Sequence, residues 1–350
     1  MKAQLILENG KRFSGTLFGA EKDVAGEVVF ATGMTGYQEE LTDPSFAGQF
    51  VTMTFPMVGN YGINLEDMES DRAHLSALVV REKCNYPSNF RNEMNLDDFL
   101  KQQGVVGIEG IDTRALTRIL RNFGVMRGVI MRGEPAEEDV RALLDSLDNS
   151  DVVLRTTAKE QYVLNPTGDK HVAFIDMGTK RGILRALQER NCKLTVFPAT
   201  VKAEEVLAVN PDMVFVSNGP GDPLDVPGTI DTVKALIGKL PICGICMGHL
   251  VIGLALGCKS VKLKFGHHGG NQPVKDVETG SVYITSQNHN YALADLPGDV
   301  IETFVNVNDG TCEGIAHKTL PIQSVQFHPE ASPGPKETGF LFDRFLKGVR

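Results

Sequence analysis

The feature that most constrains this chain is a short apolar strand that passes through a glycine-flanked cysteine directly into an apolar helix. Residues 241–249 read Pro-Ile-Cys-Gly-Ile-Cys-Met-Gly-His, and the apolar run continues to residue 256. So sharp a strand-to-helix turn requires small residues near Cys246, and Gly244 and Gly248 supply them. The pattern predicts that Cys246 is exposed at a helix N-terminus, where the helix dipole favours the thiolate. The chain is therefore expected to present a cysteine nucleophile.

The same cysteine allows two other interpretations. Cys246 could be an ordinary buried cysteine, or it could form a redox pair with Cys243, because C-x-x-C at a strand–helix junction is also a thioredoxin-like spacing. A second C-x-x-C, which a four-sulfur zinc site would need, does not occur in the sequence. We therefore expect no metal in this chain. The remaining cysteines are scattered singly: Cys84, Cys192, Cys258 and Cys312.

A base for the cysteine is found near the end of the chain. Of the eight histidines, only His328 directly follows a strand-like run, residues 322–327, and has a carboxylate two residues on, at Glu330. Cysteine nucleophiles are activated by a histidine that a carboxylate or amide orients. The predicted catalytic residues are thus Cys246, His328 and Glu330. Three further histidines are equally well interpreted as site contacts or as hydrogen-bonded loop residues: His267, His268 and His289.

A glycine-containing loop, Ser-Asn-Gly-Pro-Gly-Asp-Pro at residues 217–223, follows a predicted strand. Its glycines allow backbone N–H groups to approach a ligand closely, as an oxyanion in acyl transfer requires. The loop is not a Walker loop, and no G-x-G-x-x-G opens a helix elsewhere. We expect no nucleotide site in this chain.

The two halves of the chain differ in pattern. The first half begins as a β-hairpin around Asn9-Gly10, has an irregular stretch at 32–45, and contains a helix capped by Asp112 whose apolar face includes Phe123. From His171, continuous apolar strands alternate with helices, which is typical of a parallel sheet covered on both faces. The predicted fold class is α/β, with a C-terminal doubly wound, mostly parallel sheet and an N-terminal mixed α+β domain. The predicted boundaries are 1–150 for the first domain, 151–168 for a linker and 169–350 for the second domain.

Composition excludes several classes of function. The 350 residues carry a formal net charge of −9 and are 42% hydrophobic, which argues against a nucleic-acid partner that needs a basic surface. The longest apolar run, residues 250–258, is far shorter than the ~20 residues that span a bilayer. The first residues lack the apolar core of a signal peptide. We expect a cytoplasmic protein with reduced thiols and no membrane partner.

Three motifs in order resemble the class I, triad-type glutamine amidotransferases: residues 217–223, 244–249 and 328–330. The remaining motifs resemble the small subunit of carbamoyl-phosphate synthetase, and the resemblance covers essentially the whole chain. They lie at residues 33–39, 41–45, 88–91, 110–118, 265–271 and 329–335.

The resemblance implies a class I amidotransferase fold and a glutaminase. Cys246 would attack the carboxamide of L-glutamine, His328 would move the thiol proton to the departing ammonia, and Glu330 would orient His328. A γ-glutamyl thioester would then be hydrolysed. The N–H groups of Gly219 and Met247 would form the oxyanion hole. Further positions would contact glutamine, with Ser45 reaching the site from the first domain: Ser45, Gly221, Leu250, Asn288, Asn290 and Tyr291.

The resemblance also implies a partner. Ammonia would pass to a separate large subunit, which uses ATP, Mg and bicarbonate to make carbamoyl phosphate for arginine and pyrimidine synthesis. The two chains would form a heterodimer or a higher assembly, and this chain would hold no cofactor of its own. The missing nucleotide loop agrees with that division of labour.

The sequence departs from the family pattern at Leu250, where the family usually has a glutamine that helps to hold the substrate. Loss of one hydrogen bond costs about 1 kcal/mol of binding. Asn290 and Tyr291 stand where Gly and Phe are more usual. Leu250 leaves open a non-catalytic or ammonia-dependent partner subunit with the same fold. A separate alternative is a stand-alone cysteine hydrolase that acts on another γ-glutamyl compound, although the N-terminal domain argues against it.

Overall fold

The computed structural model of the chain describes residues 1–347. The chain divides into two compact units, Met1–Asn149 and Ser150–Arg350. Among the helices of the described residues, none is long and apolar enough to span a bilayer.

The first unit is a closed barrel of seven strands with helices around it. Its strands are β1 (Lys2–Leu7), β2 (Arg12–Gly19), β3 (Val24–Ala31), β4 (Gln49–Met53), β5 (Met57–Val58), β6 (Ala77–Val79), β7 (Glu82–Lys83), β8 (Val106–Glu109) and β9 (Met126–Arg132). Its helices are α1 (Tyr37–Thr42), α2 (Leu96–Gln103), α3 (Thr113–Phe123) and α4 (Glu137–Asp145). The barrel order is β1-β2-β8-β6-β4-β3-β9, and β5 pairs with β7 outside it.

Local signals in this unit act largely as the sequence predicts. Gly10 has a φ of 83° and turns β1 into its antiparallel partner β2. The Asp112 carboxylate caps α3 by accepting the Ala115 N–H at 2.9 Å. Phe123, however, is 74% exposed, so its assignment to the buried face is wrong. The 3.6-residue period shows which side chains share one face of a helix. It does not show at which residue that face stops packing against the neighbouring elements, and Phe123 is the last residue of α3.

The stretch at 32–45, expected to be irregular in places, carries α1 and then a 3-10 turn over Pro44–Phe46. The Asp43 side chain caps this turn by accepting the Ser45 N–H at 2.9 Å. Short helices are compatible with the Gly, Thr and Pro content because those residues lie at their ends.

The second unit is a ten-stranded sheet with helices on both faces. Its strands are β10 (Tyr162–Leu164), β11 (Lys170–Asp176), β12 (Cys192–Pro198), β13 (Met213–Val216), β14 (Ile242–Ile245), β15 (Lys259–Asp276), β16 (Val282–Ala294), β17 (Val300–Asn306), β18 (Cys312–His317) and β19 (Ile322–Val325). Its helices are α5 (Val152–Thr156), α6 (Arg181–Gln188), α7 (Ala203–Ala208), α8 (Pro227–Leu236), α9 (Met247–Ala255) and α10 (Leu341–Leu346).

The centre of this sheet is parallel, in the order β12-β11-β13-β14-β19. Apolar cores cover both faces of these strands, and this explains their continuous hydrophobic sequences. The α/β class predicted from the sequence is confirmed. Strands β15 to β18 extend the sheet in antiparallel pairing beyond β19. The carboxyl ends of parallel strands share one edge, and ligands of open α/β sheets bind there.

The segment expected to be a linker, 151–168, differs from that expectation. Val152 and Val153 are buried in α5, and β10 pairs with β12 at the edge of the sheet. Tyr162 and Val163 are substantially exposed because they lie on this edge strand. An edge strand has one solvated side, so its sequence lacks the continuous apolar run by which the central strands are recognised.

Candidate active site

Cys246 lies on the turn between β14 and α9. Its backbone has φ 56° and ψ −108°, a conformation that non-glycine residues rarely adopt and that the surroundings must hold. The Cys246 N–H donates to the Val325 carbonyl at 2.9 Å, and its carbonyl accepts the Leu250 N–H at 3.1 Å. The strained turn is therefore fixed from both sides, by β19 and by the first turn of α9.

Steric contacts explain why the two positions near this turn are glycine. A Cβ on Gly248 would lie 2.2 Å from the Val216 carbonyl oxygen, and a Cβ on Gly244 would lie 2.7 Å from Cδ1 of Ile252. Any side chain at Gly248 would push α9 away from the end of β13. The close approach of helix and strand therefore depends on glycine.

The thiol is buried rather than exposed. Cys246 has 2% of its surface accessible, which corrects the expectation from the sequence. The thiol donates to the Asn288 carbonyl oxygen on β16 at 3.5 Å. Burial arises because β16, an antiparallel strand that the sequence pattern did not reveal, passes directly over the turn.

His328 and Glu330 form a buried pair next to Cys246. Nδ1 of His328 lies 2.6 Å from Oε1 of Glu330, and the His328 N–H donates to the Ser286 carbonyl at 2.8 Å. Burial opposes charge on His328, but the Glu330 carboxylate and the neighbouring Cys246 outweigh it and raise the pKa of His328 to about 10. Burial also opposes charge on Glu330, but His328 and Lys180 lower its pKa to about 2. The arrangement favours an imidazolium beside a carboxylate.

Lys180 is a member of the site that sequence reasoning missed. Its side chain is 2% exposed, and Nζ donates to the Ala331 carbonyl at 2.6 Å and lies 3.2 Å from Oε1 of Glu330. Lys180 follows the carboxyl end of β11, at the edge of the sheet where Cys246 also lies. This position after a parallel strand was the one sequence feature that could have indicated a site residue. The sequence does not show, however, whether a lysine is buried or exposed.

The loop at 217–221 is held rigidly at the same edge. The Ser217 hydroxyl accepts the Met177 N–H at 2.8 Å, and the Asn218 side-chain oxygen accepts the Lys180 N–H at 3.0 Å. A Cβ on Gly219 would lie 2.5 Å from the Met177 carbonyl oxygen, so only glycine fits. Gly221 has a φ of 87°. Met247 is the first residue of α9, where a backbone N–H has no partner within the helix.

The other positions that the resemblance assigned to glutamine lie in different surroundings. Asn290 is 9% exposed, and its side-chain oxygen would lie 2.4 Å from a Cβ on Gly266. Tyr291 is partly buried, with the Lys262 ammonium 5.8 Å from its ring centre. Leu250 is 2% exposed and packs in the apolar core beside Met247. Ser45 belongs to the first unit, where it is buried in the 3-10 turn.

Cys243 does not face Cys246 as a redox partner. Its buried thiol donates to the Phe345 carbonyl at 3.8 Å, whereas the Cys246 thiol donates to the Asn288 carbonyl, and burial raises the pKa of Cys243. Both thiols are free.

One group of side chains in the described part of the chain has donor atoms close enough to hold a metal ion: His267, His289 and Glu313, whose atoms lie within 4.8 Å of one another. Burial opposes charge on His267, but Glu313 and Asp309 outweigh it and raise its pKa. Glu313 and Asp309 therefore favour the charged form of His267 within this group.

Comparisons with known proteins match both units. A family model described as "Carbamoyl-phosphate synthase small chain, CPSase domain" matches residues 5–130, and one described as "Glutamine amidotransferase class-I" matches residues 173–348. The carbamoyl phosphate synthase small chain of Clostridium perfringens is 55% identical over 99% of both chains. That of Archaeoglobus fulgidus is 50% identical over 100% of this chain and 99% of its own. The pyrimidine-specific small chain of Bacillus subtilis is 47% identical over 100% of this chain and 96% of its own.

Proposed function

The chain belongs to the family of carbamoyl-phosphate synthase small chains and has a class I glutamine amidotransferase domain, and from this premise we propose that it hydrolyses L-glutamine to glutamate and ammonia. The single observation that carries the proposal is the buried His328–Glu330 pair, with its 2.6 Å contact, next to a cysteine on a strained strand-to-helix turn. A nucleophile, a base and a group that orients the base are the parts that acyl transfer requires.

Nε2 of His328 holds the proton of the Cys246 thiol, since Nδ1 faces Glu330, and the raised pKa of His328 favours this thiolate–imidazolium pair before the reaction begins. The thiolate attacks the carboxamide carbon, and the proton passes from His328 to the departing amine, which leaves as ammonia. The γ-glutamyl thioester is then hydrolysed by a water molecule that gives its proton to His328. Glu330 stabilises the imidazolium that forms twice in this cycle.

The negative oxygen of each tetrahedral intermediate accepts hydrogen bonds from the N–H groups of Gly219 and Met247. Support comes from the rigid attachment of the loop at 217–221 and from the position of Met247 at the start of α9. Such preorganised donors act without reorganisation during the reaction.

The proposed contacts to glutamine rest on the resemblance in sequence to the family. Ser45, Gly221, Asn288, Asn290 and Tyr291 are proposed as contacts because they match the positions of the family's contacts in sequence. Leu250 stands where the family usually offers an amide, so one hydrogen bond to glutamine would be missing and the use of glutamine would be weak.

The ammonia would be used by a separate large subunit that binds ATP and Mg and makes carbamoyl phosphate. We propose a cytoplasmic heterodimer, or a higher assembly of it, with no cofactor in this chain. The product would serve arginine synthesis, pyrimidine synthesis or both.

The test is release of glutamate from glutamine by the purified chain, alone and with its large subunit, beside the Cys246→Ala protein. Release that requires Cys246 and increases with the partner is expected, and Cys246→Ala should leave ammonia-dependent carbamoyl phosphate synthesis intact. If wild type releases no glutamate while ammonia still supports synthesis, the chain is instead a non-catalytic partner subunit. If no ATP-using partner binds but Cys246-dependent hydrolysis persists, a stand-alone hydrolase is indicated.

A further inference from the structure

Two backbone carbonyls of β16 contact the two residues that react in the proposed glutaminase. The Ser286 carbonyl accepts the backbone N–H of His328 at 2.8 Å, and the Asn288 carbonyl accepts the Cys246 thiol at 3.5 Å. A shift of this segment therefore moves nucleophile and base relative to each other. Misplacement by about 1 Å can cost ~100-fold in rate.

The intervening side chains anchor the opposite face of the same segment. Gln287 and His289 alternate with Ser286 and Asn288 along the strand, so they point away from the thiol. Both are buried, and Nε2 of His289 lies 3.1 Å from the Gln287 side-chain oxygen. Nδ1 of His289 donates to the Tyr291 carbonyl at 2.8 Å, which fixes the plane of the ring.

A fully buried carboxylate lies beneath these side chains. Oε1 of Glu313, on β18, lies 3.8 Å from Nε2 of His289 and 3.3 Å from Nδ1 of His267, and it accepts the Asn306 amide at 3.1 Å. His267 also contacts a carboxylate nearer the surface, because its Nε2 donates to Asp309 at 2.8 Å. A buried charge persists only where it is paired and hydrogen-bonded, so these contacts define where Glu313 sits.

Glu313 also reaches the base through its backbone. Its carbonyl accepts the Gln326 N–H at 2.8 Å, two residues before His328. The residue therefore contacts both the strand over the thiol and the strand that leads to the imidazole.

We infer that Glu313 is a positioning residue for the proposed glutaminase: through its side-chain hydrogen bond to Gln287 and its contact with the His289 ring it holds the 286–288 segment of β16, and with it the geometry between the Cys246 thiol and the His328 imidazole. This inference rests on the proposed function only in what it predicts for kcat and KM of glutamate release. What it predicts for alkylation of the Cys246 thiol follows from the geometry alone.

The experiment compares Glu313→Ala and Glu313→Gln with Asp276→Ala in the complete chain. Asp276 is a matched control, since it is a buried carboxylate of the same unit whose oxygen accepts N–H groups of the turn at Glu278 and Thr279, away from the site. Two quantities are measured: the rate constant for alkylation of Cys246 by iodoacetamide, located by peptide mass spectrometry, and kcat and KM for glutamate release.

We expect Glu313→Ala to lower the alkylation rate constant and kcat at least tenfold, with KM changed less than threefold. Glu313→Gln, which can still accept the Asn306 amide, should stay within threefold of wild type, and so should Asp276→Ala. Normal alkylation of Glu313→Ala, or an equal loss in Asp276→Ala, would overturn the inference.

Asp309→Ala provides a second route if Glu313→Ala does not fold. The Asp309 side chain is 42% exposed, so its removal is tolerable, and loss of the outer partner of His267 should lower Cys246 alkylation about threefold. An unchanged rate would count against the inference. Failure of the proposed function is separable, because wild type would then release no glutamate while the alkylation rates would still report on Glu313.

Discussion

At the scale of single residues, the charge beside the thiol depends on Glu330 having two cationic neighbours. His328 contacts it at 2.6 Å and Lys180 at 3.2 Å, and all three side chains are almost fully buried. One carboxylate therefore balances an imidazolium and an ammonium. Lys180 also donates to the Ala331 carbonyl, so it fixes the chain that follows the triad.

Replacement of Lys180 by Met should therefore destabilise the protein and slow glutamine hydrolysis. Breaking a buried ion pair costs about 3–5 kcal/mol of unfolding free energy, which urea denaturation would measure. Lys259→Met is the control, because that ammonium is 74% exposed in its pair with Asp295, and solvent screening should leave the free energy of unfolding almost unchanged. Equal losses of unfolding free energy in the two variants would show that the buried ion pair of Lys180 does not stabilise the protein more than an exposed pair does.

Leu250→Gln tests the departure from the family pattern. Restoring one hydrogen bond to glutamine should lower KM about fivefold, from roughly 1 kcal/mol of binding. Because Leu250 is buried in the apolar core, the same change should lower the melting temperature. Steady-state kinetics and thermal denaturation would check both effects, and an unchanged KM would mean that position 250 does not contact the substrate.

At the scale of elements, the site depends on how closely α9 approaches β13. A single residue, Cys246, separates β14 from α9, and Gly248 lies against the Val216 carbonyl. The Cys246 backbone strain persists because β19 and the first turn of α9 hold it. Strand, turn and helix thus form one unit whose geometry sets the position of the thiol.

Gly248→Ala should accordingly abolish most Cys246-dependent hydrolysis, because its Cβ would lie 2.2 Å from a backbone oxygen and α9 would have to move. Gly228→Ala, in the first turn of α8 with no atom within 4 Å, is the matched control. That variant should keep full activity and gain about 0.5–1 kcal/mol of stability. Full activity of Gly248→Ala would contradict the assigned packing.

At the scale of the whole molecule, stability depends on histidines buried in the neutral form. Burial lowers the pKa of His249 to about 3, and burial followed by the charge of His267 lowers that of His268 to about 3. The unfolded chain binds protons at these residues near pH 6.5, whereas the folded protein does not. Each therefore contributes stability that is present above pH 6.5 and is lost as the pH falls towards 3.

His249→Gln should reduce the loss of unfolding free energy between about pH 5.5 and 4 by about 1.4 kcal/mol per pH unit. Urea denaturation at several pH values would measure the slope. His328→Asn should leave that acidic slope unchanged, because His328 is protonated in both states there. It should instead alter the slope above pH 6.5, since the raised pKa of His328, about 10, gives stability that is lost as the pH rises. A His249→Gln slope equal to wild type would contradict the assignment.

The sequence by itself determined the parts whose signals are local. The Gly-x-Cys-x-Gly pattern requires the sharp turn, since only glycine fits against Val216, and Asp112 caps α3 through a contact three residues away. Continuous apolar strands revealed the parallel sheet because both faces are covered. The His328-Pro329-Glu330 spacing brings imidazole and carboxylate together within a single turn of chain.

Only the tertiary structure decided which contacts form between segments that are distant in the sequence. Lys180 reaches Glu330 across 150 residues, β16 covers Cys246, and Glu313 lies beneath β16. No sequence pattern around these residues predicts the contacts, because the neighbours of a lysine or glutamate in the sequence do not show whether it is buried or exposed. Burial and pairing are properties of packing, and they set both the charge beside the thiol and the geometry in which it is held.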